Sequence, residues 1–181
     1  ARDEGRTVAV FGDYDADGVC ACAIMYHALK EFGVEAHIYV PERADGYGLS
    51  EEAVDRIFED CQPELFITVD CGISCAKETQ YIYELGADVI VTDHHEIPYR
   101  EEENGTRTTI LPPADVIVNP KQADCPYPYK KLCGAAVAWR LVEVLYQEAG
   151  VPREEFLDLA QFAAVATIGD IMDLTGENRI L

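Results

Sequence analysis

Positive charge is scarce in this sequence: 14 Lys and Arg stand against 34 Asp and Glu, a formal net charge of −20 over 181 residues. Affinity for a phosphate backbone comes mainly from Lys and Arg displacing counterions, so this surface repels nucleic acid unless something local reverses the field. Long apolar runs are missing too. No stretch approaches the roughly 18 to 20 residues of a membrane span, and the polar start ARDEGRT lacks the apolar core of a signal peptide. The seven cysteines (Cys20, Cys22, Cys61, Cys71, Cys75, Cys125 and Cys133) are an odd number without a C-x-x-C pair. They read as reduced thiols, mostly small apolar fillers, in a soluble cytoplasmic chain. No internal repeat or low-complexity tract is present. What is there suffices for a packed globule: 49% hydrophobic and 9% aromatic residues, in a length that holds one full domain without disulfide or metal staples.

Five apolar, β-branched segments, residues 7–11, 35–40, 65–69, 88–92 and 115–118, each end in a polar or glycine-containing corner. Stretches of helical length and spacing, 16–32, 50–60 and 74–85, separate the first four. This alternation predicts an α/β fold, a mainly parallel five-stranded sheet flanked by helices. The runs VAVF, LFITV and DVIVT are nearly continuous in apolar residues, as strands covered on both faces are. Ser50 is placed to cap a helix, with acidic residues in its first turn, and Gly33 and Gly86 stand where helices should stop. Residues 96–114, with Pro, Asn-Gly and the charge run Glu101–Glu103, read as an exposed excursion. After a second irregular stretch at 119–131, helices are expected from about Gly134 to Ala149 and from about Glu154 to Ile168. The break at 150–152 divides the chain into an α/β domain over 7–149 and a helical extension over 150–181 belonging to the same core.

The strongest local signal is Gly12-Asp13-Tyr14-Asp15-Ala16-Asp17-Gly18, directly after the first strand. Carboxylates at alternate positions repel one another in an apolar corner unless something positive joins them, and a divalent metal is the economical answer. The spacing also opens an EF-hand loop. That loop needs a Glu at its twelfth position, here Ile24, and a preceding helix where this sequence has a strand. In a parallel α/β sheet ligands bind beyond the carboxyl ends of the strands. The residues there are Asp13, Asp15 and Asp17, then Asp70, then Asp93, His94 and His95, with Asp170 following the last helix. A mixed oxygen and imidazole set suits manganese, magnesium or zinc. So many carboxylates exceed the needs of one ion and suit two, about 3.5 to 4 Å apart, as in phosphoester hydrolysis.

Simpler readings compete. A single Asp after a strand is most often a helix cap or turn residue, but the joint pattern is harder to dismiss. A phospho-acceptor receiver domain needs a Lys ending the fifth strand, where this sequence has Asn119-Pro120 with Lys121 after them, and leaves His94-His95 without a role. Cys71 and Cys75 lack the close pairing of a thiolate site and read as helix-start packing.

In this order and at these strand ends, GDYDADG, VDCGIS and VTDHHE resemble the first three motifs of the DHH phosphoesterase superfamily, named for the triplet seen here as Asp93-His94-His95. The stretches VIVNPKQADCPYPYKKLCGAAVAWRL and ATIGDIMDLTGENRIL are similar to its RecJ-like branch of single-strand-specific exonucleases. The resemblance implies that Asp13, Asp15, Asp17, Asp70, His94 and Asp170 hold two manganese or magnesium ions, with Asp70 bridging. It further implies that His95 contacts the scissile phosphate and that Asp93 orients the histidine pair. Gly46-Tyr47-Gly48 would shape a loop beside the site, with Gly48 and Asn119 as substrate contacts. The implied reaction is metal-assisted hydrolysis releasing 5′-mononucleotides from the 5′ end of single-stranded DNA, with DNA-repair proteins as further partners.

Two departures qualify this. Where the pyrophosphatase branch has a His four residues before Asp15, this sequence has Phe11, so Asp13 is expected to supply that ligand and pyrophosphate is disfavoured. The family's basic second domain does not follow Leu181, and the N-terminal segment typical of the branch is missing, so the sequence reads as a piece of a longer protein. Two alternatives stand beside the exonuclease: a DHH phosphodiesterase for short oligoribonucleotides or cyclic dinucleotides, and a non-catalytic DHH scaffold. A scaffold should have lost ligands, whereas every motif Asp and His is intact.

Overall fold

A computed structural model describes residues 1–43, 46 and 48–181. In chain order its elements are β1 (Val8–Gly12), α1 (Ala16–Glu31), β2 (Ala36–Tyr39), α2 (Glu51–Cys61), β3 (Leu65–Val69), α3 (Ala76–Glu84), β4 (Asp88–Thr92), β5 (Tyr99–Glu101), β6 (Arg107–Thr109), β7 (Val116–Val118), α4 (Gly134–Glu148), α5 (Arg153–Leu157) and α6 (Ala160–Gly169), with 3-10 turns at Arg2–Glu4 and Gly176–Arg179. The five apolar segments form one sheet in the order β2-β1-β3-β4-β7, every pair parallel. The chain winds outward from β1 to β2, then crosses back over β1 to begin β3. The β1/β3 boundary is therefore a topological switch point, where loops diverge and leave a crevice at the strands' carboxyl ends.

Alternation along the strands sorts the core into two layers. Val8, Val10, Ile67 and Val69 point into a cluster with α1, α4 and the buried Phe156, Ala163 and Ala166 of α5 and α6. Ala9, Phe11, Phe66, Val89 and Val91 point the other way, onto Val54 and Ile57 of α2 and Ile82 of α3. Helix α1 packs against β1, β2 and β3 as well as against α4 and α6, which is why its sequence is apolar on most faces rather than on one stripe. The 150–181 segment thus shares the apolar layer of α1 and α4.

The punctuation read from the sequence holds. Ser50 Oγ accepts from Ala53 N at 3.2 Å, capping α2. Gly33 and Gly86 adopt left-handed φ of 70° and 97° just past α1 and α3. Two segments differ from expectation. The helix expected over 154–168 breaks at Asp158–Leu159, where Leu159 N donates to Phe156 O at 3.1 Å and Gln161 N to Asp158 O at 3.3 Å; these i→i+3 bonds tighten the chain and separate α5 from α6. The 96–114 excursion contains an exposed antiparallel hairpin, β5 with β6, closed by Glu102 N to Thr106 O at 2.8 Å with Asn104 in the turn. Among the described residues no helix is long and apolar enough to cross a membrane.

Candidate metal centre

Sheet register builds the site. Gly12 is level with Val69, Val69 with Thr92, and Thr92 with Val118. The next residue on each of these four strands is Asp13, Asp70, Asp93 and Asn119, so the four stand in one row beyond the sheet, and all four are buried. Asp70 leaves β3 with φ of 60°, a left-handed conformation that Asp and Asn adopt more readily than other side chains.

The aspartate loop after β1 has two jobs. Asp15 Oδ1 accepts from Asp17 N at 2.9 Å and Gly18 N at 3.0 Å, so it is the N-cap of α1. Gly18 closes the loop: a Cβ there would lie 2.5 Å from Asp13 N. Asp13 Oδ1 accepts from Tyr14 N at 2.8 Å, while its Oδ2 is buried without a hydrogen-bond partner. Asp17 reaches across to the start of α4, where Oδ2 accepts from Gly134 N at 2.6 Å and Oδ1 from Ala135 N at 2.7 Å.

His94 gathers the carboxylates. Its Nε2 is 3.2 Å from Asp70 Oδ1, 3.6 Å from Asp17 Oδ2 and 3.7 Å from Asp170 Oδ2. Burial, the largest influence on His94, holds its pKa below the ordinary value and so favours the neutral imidazole that a metal requires. Burial pushes Asp70 well above the carboxylate range, and the neighbouring charges of Asp17, Asp15 and Asp93 push it further. Asp13 and Asp170 are raised chiefly by burial as well. Asp70 Oδ1 is buried with no hydrogen-bond donor. Raised carboxyls with orphaned oxygens around a neutral imidazole form a donor set that fits divalent cations.

Asp93 behaves differently. Burial alone would raise it, but its Oδ2 accepts from Ile73 N at 3.0 Å, and its Oδ1 accepts from His94 N at 2.7 Å and His95 N at 3.0 Å and lies 2.8 Å from His95 Nδ1. The result is a carboxylate held below its ordinary pKa. Reciprocally, the Asp93 hydrogen bond raises His95, favouring its protonated form. Asn119 donates from Nδ2 to His95 O at 3.0 Å and accepts from Lys121 N at 2.8 Å. Among the described residues, three groups of side chains have ligand atoms close enough to share an ion: Asp70 with His94 and His95, Asp17 with His94 and Asp170, and Asp13 with Asp15 and Asp70. A separate, mainly apolar cavity of about 830 Å³ opens at the β7 edge beside Tyr127, Arg140 and Val144, meeting the aspartate row only at Asn119.

Residues 7–167 match the family model described as the DHH family, N-terminal domain. The chain belongs to the DHH family. Among curated proteins it is 42% identical over 182 residues to the single-stranded-DNA-specific exonuclease RecJ of Bacillus subtilis (strain 168), covering 100% of this chain and 21% of that protein. It is 38% identical to the RecJ of Thermus thermophilus, covering 100% of this chain and 25% of the relative. Among solved structures, exonuclease RecJ bound to manganese superposes with a TM-score of 0.82 at 37% identity, over 98% of this chain and 42% of that one. Thermus thermophilus RecJ in complex with Mn2+ gives 0.77 at 36%, over 99% and 24%. This DHH chain thus spans about a fifth to a quarter of the length of these curated relatives.

Of the residues singled out from the DHH motifs, Asp13, Asp15, Asp17, Asp70, Asp93, His94, His95 and Asp170 converge in space. Asn119 joins them through its hydrogen bond to the His95 carbonyl, so its amide is engaged within the fold. Gly48, with φ of 79°, lies beside Cys75, where an added Cβ would come within 3.8 Å of Sγ. Tyr47 falls outside the described residues. Gly134 and Ala135 were not singled out as participants. Their signal was the helix start at LCGAAVA, which has no capping side chain of its own.

Proposed function

We infer that this DHH chain is the catalytic core of a metal-dependent phosphodiesterase, a RecJ-type exonuclease acting 5′ to 3′ on single-stranded DNA and releasing 5′-mononucleotides. The observation that carries this reading is the buried, donor-less Oδ1 of Asp70, 3.2 Å from His94 Nε2 and flanked by the other carboxylates. Asp13, Asp15, Asp17, Asp70, His94 and Asp170 would hold two divalent ions, manganese foremost and magnesium as an alternative, with Asp70 bridging. Relatives that are themselves described as bound to manganese or magnesium support that choice. Bound there, the ions would lower the pKa of an attacking water and neutralise charge gathering on the phosphoryl oxygens.

The chain's own residues supply the rest. Asp93 orients His95 through Nδ1 and favours its protonated form, so that the imidazolium can pair with a non-bridging phosphate oxygen. Asn119 fixes the His95 backbone from the β7 side. The neutral His94 ring offers Nε2 to the same space as Asp70, Asp17 and Asp170. The α/β part over 7–149 and the helical part over 150–181 act as one catalytic unit, the latter delivering Asp170. Strand-gripping surfaces belong to other parts of such an enzyme, since the excess acidity of this chain opposes DNA binding by itself.

The discriminating experiment compares manganese-dependent hydrolysis of 5′-phosphorylated single-stranded DNA, duplex DNA, a short oligoribonucleotide, a cyclic dinucleotide and pyrophosphate by the protein. Preference for single-stranded DNA with mononucleotide release is expected. Preference for either short RNA or the cyclic dinucleotide would replace the exonuclease with the phosphodiesterase reading, and failure to bind manganese would favour a scaffold.

A further inference from the structure

We propose that Gly134 is a positioning residue of the metal centre, setting the separation between the Asp17 and Asp70 carboxylates; this rests on the reading of those carboxylates as ion ligands. Its N–H holds Asp17 Oδ2 at 2.6 Å while the next N–H, of Ala135, holds Oδ1 at 2.7 Å. Its bare Cα also faces Asp70. A Cβ at position 134 would stand 2.5 Å from Asp70 Cβ and 2.6 Å from Cγ, and would collide with Oδ1 as well.

The two carboxylates so governed share no ligand group, although both stand beside His94: Asp17 groups with His94 and Asp170, and Asp70 groups with Asp13 and Asp15 and also with His94 and His95. One peptide unit therefore fixes both sides of the centre. Helix α4 begins at Gly134, and its N-cap Cys133 provides no side-chain acceptor, so its first N–H groups need an outside partner. Asp17, 117 residues earlier in the chain, supplies both oxygens. Two consecutive N–H groups fix the plane of the carboxylate, and the helix dipole favours its charge. Each oxygen keeps a second lone pair, and Oδ2 lies 3.6 Å from His94 Nε2, facing the space where an ion would be shared.

Conformation does not explain the glycine. Gly134 is absent from the residues with left-handed φ and sits in a helix, where alanine is preferred by about 1 kcal/mol. The need is for space: with any side chain, either α4 retreats and carries Asp17 with it, or Asp70 turns away.

The test is Gly134→Ala, with Ala136→Gly as a control that places a glycine in the same helical turn away from the carboxylates. Manganese binding, read from the electron paramagnetic resonance of the free ion, should weaken about tenfold or more in Gly134→Ala, while Ala136→Gly keeps wild-type affinity. Metal-free thermal unfolding supplies a second reading that needs neither metal nor activity. Gly134→Ala should lower the Tm in the parent but not in an Asp70→Gly background, where the obstructing atoms are gone and glycine suits the left-handed φ. Wild-type manganese affinity in Gly134→Ala, or an equal Tm loss in both backgrounds, overturns the proposal. A wild-type protein that binds no manganese defeats the metal reading instead, and the unfolding cycle still reports whether residue 134 sets the place of Asp70.

Discussion

Asp70→Asn separates the electrostatic cost of the site from its use. The amide keeps the volume and the left-handed backbone, which Asn tolerates, and removes a carboxyl whose ionisation is opposed by burial and by Asp17, Asp15 and Asp93. Without metal, the variant should therefore unfold at or above the wild-type temperature. With metal the order should reverse. A ligand present at 100 times its Kd stabilises the fold by about 2.7 kcal/mol, and for a chain of this size each kcal/mol moves Tm by about 2 to 4 °C. Manganese should then raise the wild-type Tm by about 5 to 11 °C per ion bound. The variant, with a neutral amide in place of the carboxylate beside His94 and only one oxygen left to offer, should lose most of that rise. The assay is thermal unfolding followed by circular dichroism near pH 7.5, in chelator and in manganese. A manganese-induced rise in Asp70→Asn equal to the wild-type rise would exclude Asp70 as an ion ligand, and a metal-free variant far less stable than the parent would show that the buried carboxyl carries no electrostatic cost.

Three further outcomes follow from the same geometry. Asp93→Asn removes the charge that raises His95, so the His95 titration, followed by NMR, should move down toward its ordinary value, at a stability cost of about 1.5 to 3 kcal/mol for weakened hydrogen bonds to an ionised group. An unmoved titration would remove Asp93 from its orienting role. Asp13, Asp70 and Asp170 have folded-state pKa values above the ordinary carboxylate value, so their contribution to metal-free stability is full below that value and is lost as pH rises through the raised ones. Manganese affinity should rise over the same interval with release of protons, which calorimetry in two buffers of different ionisation enthalpy measures; binding without proton release would contradict it. Ser50→Ala should cost about 1 kcal/mol by uncapping α2 and leave manganese affinity unchanged, since α2 lies on the opposite face of the sheet from α4.

The sheet was legible because β1, β3 and β4 are buried on both faces and so carry nearly unbroken apolar runs, and because a parallel sheet sends its strand ends to one side. Those two facts bring Asp13, Asp70 and Asp93 together from the sequence pattern alone. The hairpin of Tyr99–Glu101 with Arg107–Thr109 was not legible, because its strand residues are all exposed and have no apolar alternation to show. The break at Asp158–Leu159 was hidden for the opposite reason: residues on both sides favour helix, and only the i→i+3 bonds mark the interruption. Gly134 escaped notice because its role depends on Asp17 and Asp70, two residues brought to it by tertiary packing. Asp15 carried both readings weighed for it, a helix cap in fact and a member of a ligand group in position.

The proposed two-ion centre is built from buried carboxylates around His94. Anomalous diffraction from manganese-soaked crystals tests it most directly. Two peaks about 3.5 to 4 Å apart are expected, with Asp70 between them, His94 and Asp170 on one side and Asp13 and Asp15 on the other. An empty site at millimolar manganese, or a single peak that leaves Asp70 Oδ1 unliganded, would contradict it.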